Sequence, residues 1–140
     1  MNFELYINQL QNWPPDGRHI LANYNENSII VYQAYKPSIA KAICKNQNFH
    51  SEECIQNGYS MNRMTWIKTN FLWMMFRSGW ATKKDQECIL AIRVKLDGFD
   101  ELLKNSVRTS HHNNDQSNSL IKNSDVVLQW DPDHKPGGTV

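Results

Sequence analysis

The residues best suited to bind an anionic ligand lie between positions 60 and 95. This stretch contains seven basic and two acidic residues, interleaved with five large aromatic ones: Trp66, Phe71, Trp73, Phe76 and Trp80. Basic groups neutralise phosphates and aromatic rings stack on bases, so the pattern predicts a nucleotide or nucleic-acid ligand. A solvated basic face over an ordinary aromatic core would give the same pattern. The ligand-binding candidates here are Arg63, Lys68, Trp73, Arg77 and Trp80.

Arg77 is the sharpest of these candidates. The apolar residues around it predict a largely buried helix over 70–78, ended by Gly79. A guanidinium on a buried helix needs an anion, a group of carbonyls or an aromatic face, and Trp73 lies one turn earlier. Two interpretations stand equally: a clamp for phosphate or carboxylate, or an internal Arg–Asp bridge.

Gln33 and Tyr35 lie in the segment SIIVYQAY (28–35), which is apolar on both faces and therefore predicts a central strand. A buried amide must be satisfied by hydrogen bonds. An internal partner is the favoured interpretation for Gln33 and a ligand is the alternative, so both residues are ligand-binding candidates.

The candidate catalytic residues are the two carboxylates of QWDPD (129–133), Asp131 and Asp133. Two carboxylates this close could hold a divalent cation or share a proton. The plainer alternative is a turn in which the first carboxylate caps nearby N–H groups. No metal site is assigned, because no cysteine–histidine spacing matches a standard zinc pattern, and no cofactor is assigned either.

The elements that position these residues mix helices and strands without regular βαβ alternation. This arrangement predicts an α+β fold, a single domain with a mainly antiparallel sheet and a few short helices. The predicted helices cover 3–13, 37–45, 70–78 and 99–106, and the predicted strands 18–24, 28–35, 88–96 and 126–130. The first two strands should form a hairpin, 46–61 a loop, and 63–68 an extended segment.

Length and composition limit the class of protein. A chain of 140 residues, 40% hydrophobic and with a net charge of +1, predicts one soluble folded core rather than a disordered polyelectrolyte. The predicted boundaries are an N-terminal helix and turn (1–17), a globular domain (18–133) with a flexible loop (106–124), and a disordered tail (134–140). The longest apolar run, 71–76, is too short to cross a membrane. Three cysteines and no signal peptide favour the cytoplasm, with the nucleus as an alternative.

The residues that carry a family resemblance are RHILANYNENSIIVYQAYKPSIA, RMTWIKTNFLWMMFRSGWATKKDQECILAIRV and VVLQWDPD. Over about 18–133 they resemble the family called domain of unknown function 4291, for which the resemblance implies no particular activity. Relatives typically have proline where Thr69 stands, and Glu-Arg in place of Asp133 and His134. They also continue with a further strand-like segment, so the resemblance implies that this chain is a C-terminally shortened member. If that segment completes the sheet in relatives, a sheet edge is left open here.

The functional prediction is an intracellular domain that binds or processes a nucleotide or nucleic acid through a basic–aromatic cleft. The alternative is a non-catalytic module that binds a protein through its aromatic surface. The residue patterns assign neither a reaction nor an oligomeric state.

Overall fold

The computed structural model describes residues 4–109, 121 and 123–134. In this part of the chain, short helices and strands alternate irregularly, which confirms the α+β prediction. In chain order they are α1 (Tyr6–Leu10), β1 (Ser28–Tyr35), α2 (Pro37–Asn46), α3 (Glu52–Gln56), α4 (Phe71–Arg77), β2 (Cys88–Lys95), α5 (Leu96–Lys104), β3 (Val107–Arg108) and β4 (Val127–Leu128).

The two long strands, β1 and β2, form an antiparallel two-stranded sheet. β1 has a further partner, because Tyr32 exchanges both backbone hydrogen bonds with Lys68, at 2.6 and 3.1 Å. The short strands β3 and β4 pair in parallel, with Val107 opposite Val127. The segment before α4 is therefore attached to β1 by its backbone.

The chain divides into two compact units. The first lies within Met1–Ile29 and Arg93–Pro132, and the second within Ile30–Ile92 and Asp133–Val140. The predicted domain boundaries stay a prediction.

The second unit has the main hydrophobic core, built from one end of β1, from α2 and from α3. Pro37 occupies the start of α2, where its missing N–H costs no hydrogen bond. The apolar face of α2 packs with Tyr35 and with Cys54, whose side chain is fully buried. The buried core residues are Tyr35, Ile39, Ala40, Ala42, Ile43 and Cys54, flanked by Phe49, Tyr59, Cys88 and Leu90.

The first unit contains α1, α5 and the β3–β4 pair. Arg93 donates a hydrogen bond to the Ser28 hydroxyl at 3.0 Å, and Phe99 is the buried residue of α5. α1 buries none of its side chains, and Tyr6 meets Trp13 edge-to-face with ring centroids 5.2 Å apart.

The predicted hairpin arm over 18–24 is wrong. The arm is reduced to one isolated antiparallel bridge between Tyr24 and Ile29. The Asn25 carboxamide oxygen accepts from the backbone N–H groups of Asn27 and Ser28, which fixes a tight turn. Residues 18–24 are exposed or half-exposed, so no apolar face holds them in a longer strand.

Three helices differ from the sequence prediction. α1 covers only Tyr6–Leu10, whereas the predicted helix covered 3–13. The predicted loop 46–61 contains α3, where the Ser51 hydroxyl caps the Cys54 N–H and two glutamates occupy the first turn. The last predicted helix begins at Leu96 instead of 99, because β2 runs directly into α5 despite the glycine at position 98.

The two segments predicted to be flexible or disordered are described only in part. Val107–Arg108, at the start of the predicted loop, form β3, and 110–120 and 122 lie outside the described residues. His134, the first residue of the predicted tail, is buried, and 135–140 lie outside the described residues. Among the described residues, no helix has the length and apolar character needed to cross a membrane.

Candidate functional site

The site is organised around α4, in the second unit. Asn70 precedes this helix, and its carboxamide oxygen accepts from the Trp73 N–H at 2.8 Å. An asparagine cap of this kind satisfies one of the free N–H groups of the first turn. Gly79 follows the helix with φ +59°, a left-handed conformation that ends the helical path. The predicted helix and its stop are confirmed.

Two cations lie over the ring of Trp73. The Lys68 ammonium is 4.6 Å from the ring centroid, and the Arg77 guanidinium carbon is 5.7 Å from it. The indole is only 7% exposed, so it is a fixed platform for both cations rather than a free face for a base. The cation–π contact predicted between Arg77 and Trp73 is confirmed.

The predicted burial of α4 is wrong. Trp73 and Met74 are its buried residues, whereas Phe71 and Phe76 are 44% and 53% exposed. Arg77 is exposed as well, and within the described residues it forms no ion pair, so no internal Arg–Asp bridge is present in that part of the chain. The apolar composition was misleading because a seven-residue helix has room for only one buried stripe.

Trp66 joins the cluster although the sequence analysis did not select it as a site residue. Its ring centroid is 6.0 Å from that of Trp73 with an interplanar angle of 39°, and half of its surface is exposed. The seven-residue spacing between the two tryptophans is the one sequence signal for this contact. We call Trp66, Lys68, Trp73 and Arg77 the cation–indole cluster.

A chain of hydrogen bonds that begins in the core fixes the segment that carries Lys68. The Tyr35 hydroxyl donates to Gln33 Oε1 at 2.5 Å, and Gln33 Nε2 donates to the Thr65 hydroxyl at 2.7 Å. Gln33 is 4% exposed, and it already has partners on both ends of its amide. This favours the internal-partner interpretation: Gln33 and Tyr35 hold the residues around Thr65 against β1.

Burial, followed by the nearby Tyr59 hydroxyl and Cys54 thiol, raises the pKa of Tyr35 well above its ordinary value of 10.0. Burial also raises the pKa of Tyr32. The neutral phenol of Tyr35 is the form that donates to Gln33. This hydrogen bond, like burial, therefore favours the protonated side chain.

We therefore expect the protein to lose stability at alkaline pH. In the unfolded chain Tyr35 ionises near pH 10, whereas in the folded protein Tyr35 keeps its proton at that pH. The contribution of Tyr35 to the free energy of unfolding is therefore complete below about pH 10 and is lost as the pH rises above it. Urea unfolding at a series of alkaline pH values measures this decline. In Tyr35→Phe the decline should be shallower, and an unchanged slope would contradict the assignment.

Four other predicted site residues are not among the members of this cluster. Arg63 is exposed, and Trp80 is 55% exposed just after α4. Asp131 Oδ1 accepts from Gln129 Nε2 at 2.7 Å, and Asp133 is exposed. The structure thus joins Lys68, Trp73 and Arg77 in one cluster, and the roles of Arg63, Trp80, Asp131 and Asp133 stay predictions.

His134 is a second residue that the sequence analysis missed. Its ring stacks on Phe76 of α4, with centroids 4.4 Å apart and an interplanar angle of 25°. It is buried, and its Nδ1 has no hydrogen-bond partner among the described residues. Within the same residues, no group of three histidine, cysteine or acidic side chains is placed to hold a metal ion.

Comparison with known proteins gives one family. The model of the family described as "Domain of unknown function (DUF4291)" matches residues 19–139, which is most of the chain. No curated protein and no solved structure matches it.

Proposed function

Because the chain belongs to the DUF4291 family, whose description gives no function, we propose from its geometry that it binds a nucleotide or nucleic acid at the cation–indole cluster. The observation that carries the proposal is the pair of cations over one buried indole. The buried ring holds Lys68 and Arg77 in place. Binding of an anion therefore costs less side-chain conformational entropy than it would with two mobile cations.

The chemistry of the cluster fits a phosphate linked to an aromatic base. Arg77 is exposed and, within the described residues, has no carboxylate partner, so its N–H groups are open to a phosphate. Trp66 offers the half-exposed indole face on which a base can stack. Trp73 supports both groups without needing to touch the ligand.

The surrounding charge supports the same ligand. Residues 63–85 contain five basic residues against the single acidic Asp85. A positively charged surface attracts polyanions and speeds their association. Asp131 and Asp133 stay the candidate catalytic carboxylates, and we propose binding rather than a reaction.

A protein-interaction module is the second candidate. The exposed rings of Phe71 and Phe76 and the 74%-exposed Met64 favour it, because exposed apolar groups close in sequence are typical of protein contacts. The two candidates differ in their response to salt, since binding through apolar groups does not weaken steeply with salt as phosphate binding does.

An intracellular location, cytoplasmic or nuclear, belongs to the proposal as well. All three cysteines are free, and Cys54 is fully buried in the core. Free thiols are typical of proteins from a reducing compartment.

Arg77→Ala tests the proposed site. Removing one charge-assisted contact to phosphate should lower the affinity for ATP about tenfold. Titration of the tryptophan fluorescence with ATP measures this, because the cluster contains two of the indoles. The thermal unfolding midpoint should change little, since Arg77 is exposed.

The matched control is Lys41→Ala, which removes an exposed cation from α2, outside the cluster. Its affinity for ATP should equal that of the unmodified protein. Equal affinities in Arg77→Ala and Lys41→Ala would refute the site.

A further inference from the structure

The turn after α4 has an unusual backbone. Gly79, Trp80 and Ala81 are consecutive residues with φ of +59°, +56° and +61°. Glycine adopts this left-handed conformation freely, but the Cβ atoms of Trp80 and Ala81 make it unfavourable for them. Strained residues of this kind concentrate at functional sites, where the surrounding structure holds them in place.

Ser78 holds the strained residues. It is completely buried; its hydroxyl donates to the Met75 carbonyl at 3.0 Å and accepts from the Ala81 N–H at 3.2 Å. The Trp80 N–H donates to the same Met75 carbonyl at 2.7 Å, and the Lys83 N–H donates to the Ser78 carbonyl at 3.0 Å. The turn is therefore fixed against the last turn of α4.

This fixed turn presents an aromatic ring to solvent instead of burying it. The Trp80 side chain is 55% exposed, three residues beyond Arg77 and followed by the exposed Lys83 and Lys84. More than half of this apolar ring stays in contact with water, so its burial contributes less to folding than that of a core tryptophan, and its backbone conformation is unfavourable. The Trp80 ring is suited to stack on a base, because the turn already holds it in place among cations.

We infer that Trp80 is a second stacking point and that the ligand is a single-stranded nucleic acid rather than a mononucleotide. The inference rests on the proposed function and specifies its ligand. Trp66 contacts Trp73 in the middle of α4, whereas Trp80 lies beyond the end of that helix. Two separate exposed indoles with cations between and beyond them suit successive bases and phosphates of one strand.

Trp80→Gly tests the inference, because glycine keeps the left-handed turn and removes the ring. The probes are ATP and labelled uridine and thymidine oligonucleotides of about 12 nucleotides, within the length that one small module covers. Affinity for an oligonucleotide should fall by between about fivefold and a hundredfold, whereas affinity for ATP should stay unchanged. The two oligonucleotides show whether the strand is RNA or DNA.

Two control variants accompany the Trp80→Gly experiment. Trp80→Ala should lose the same affinity but melt at a lower temperature than Trp80→Gly, because alanine keeps a Cβ in the left-handed turn. Tyr24→Ala removes another exposed aromatic ring, 72% exposed and outside the basic segment, and should bind as the unmodified protein does.

Two outcomes would overturn the inference alone. In the first, Trp80→Gly binds oligonucleotides with normal affinity while Arg77→Ala does not. In the second, Trp80→Gly lowers the affinities for ATP and for oligonucleotides equally, which places Trp80 in a mononucleotide site. Binding of neither probe to the unmodified protein would overturn both the inference and the proposed function.

Discussion

Trp73→Ala is expected to lower the free energy of unfolding by about 3–5 kcal/mol, the usual cost of deleting a buried tryptophan. The Trp73 side chain is 7% exposed. The variant keeps the backbone N–H that donates to the Asn70 carboxamide, so the loss comes from the indole alone. Its loss leaves a cavity under the helix and also removes the platform below Lys68 and Arg77. Both stability and nucleotide affinity should therefore fall, measured by urea unfolding and by titration.

Trp66→Ala is the matched control for this prediction, since it removes the same side chain from the same cluster. Trp66 is half exposed, so its truncation should cost about half as much stability or less. Its effect on ligand affinity should nevertheless be clear, because Trp66 is the ring on which we propose that a base stacks. Equal losses of stability in the two variants would contradict the division into a buried platform and an exposed stacking ring.

Gln33→Ala is expected to destabilise the protein by about 2–4 kcal/mol, because it opens a cavity and leaves the buried Tyr35 hydroxyl without its acceptor. The exposed Thr65 hydroxyl can bond to water instead, so its loss of partner costs little. Ligand affinity should fall too, although Gln33 is a positioning residue that acts through the segment carrying Lys68. Calorimetric unfolding and ATP titration measure the two effects.

A double-mutant cycle separates the hydrogen bond from the cavity. Gln33→Leu keeps most of the volume and should cost about 1–3 kcal/mol, because the buried Tyr35 hydroxyl loses the acceptor that Gln33 provides. Adding Tyr35→Phe removes that hydroxyl and should recover part of the loss. If the effects of the two single variants simply add in the double variant, Gln33 and Tyr35 are not energetically coupled.

Local sequence signals were enough to predict α2, α4 and the two long strands. Pro37 marks one helix start, Gly79 marks a helix end, and the alternation of residues 88–95 marks a half-exposed strand. These features act within a few residues of one another, so the sequence displays them directly. α3 has an equally local signal in Ser51 and the two glutamates after it, which the loop prediction overlooked.

Pairings between distant residues could not be predicted in this way. Gln33 bonds to Thr65, 32 positions away, and His134 stacks on Phe76. Burial was the other source of error: the helix that carries Arg77 was predicted to be largely buried because its residues are apolar, yet α4 buries only one stripe. Which stripe faces inward depends on the packing of the whole unit, and the helix sequence does not contain that information.

The salt dependence of oligonucleotide binding tests the central claim most directly, because the slope reports how many phosphates a bound protein neutralises. We predict that the slope of log affinity against log salt becomes less negative by about 0.7 for each cation removed, in Lys68→Ala, in Arg77→Ala and additively in the double variant. Trp80→Gly should bind more weakly with an unchanged slope. Identical slopes in the unmodified protein and the double variant would contradict phosphate binding at the cation–indole cluster.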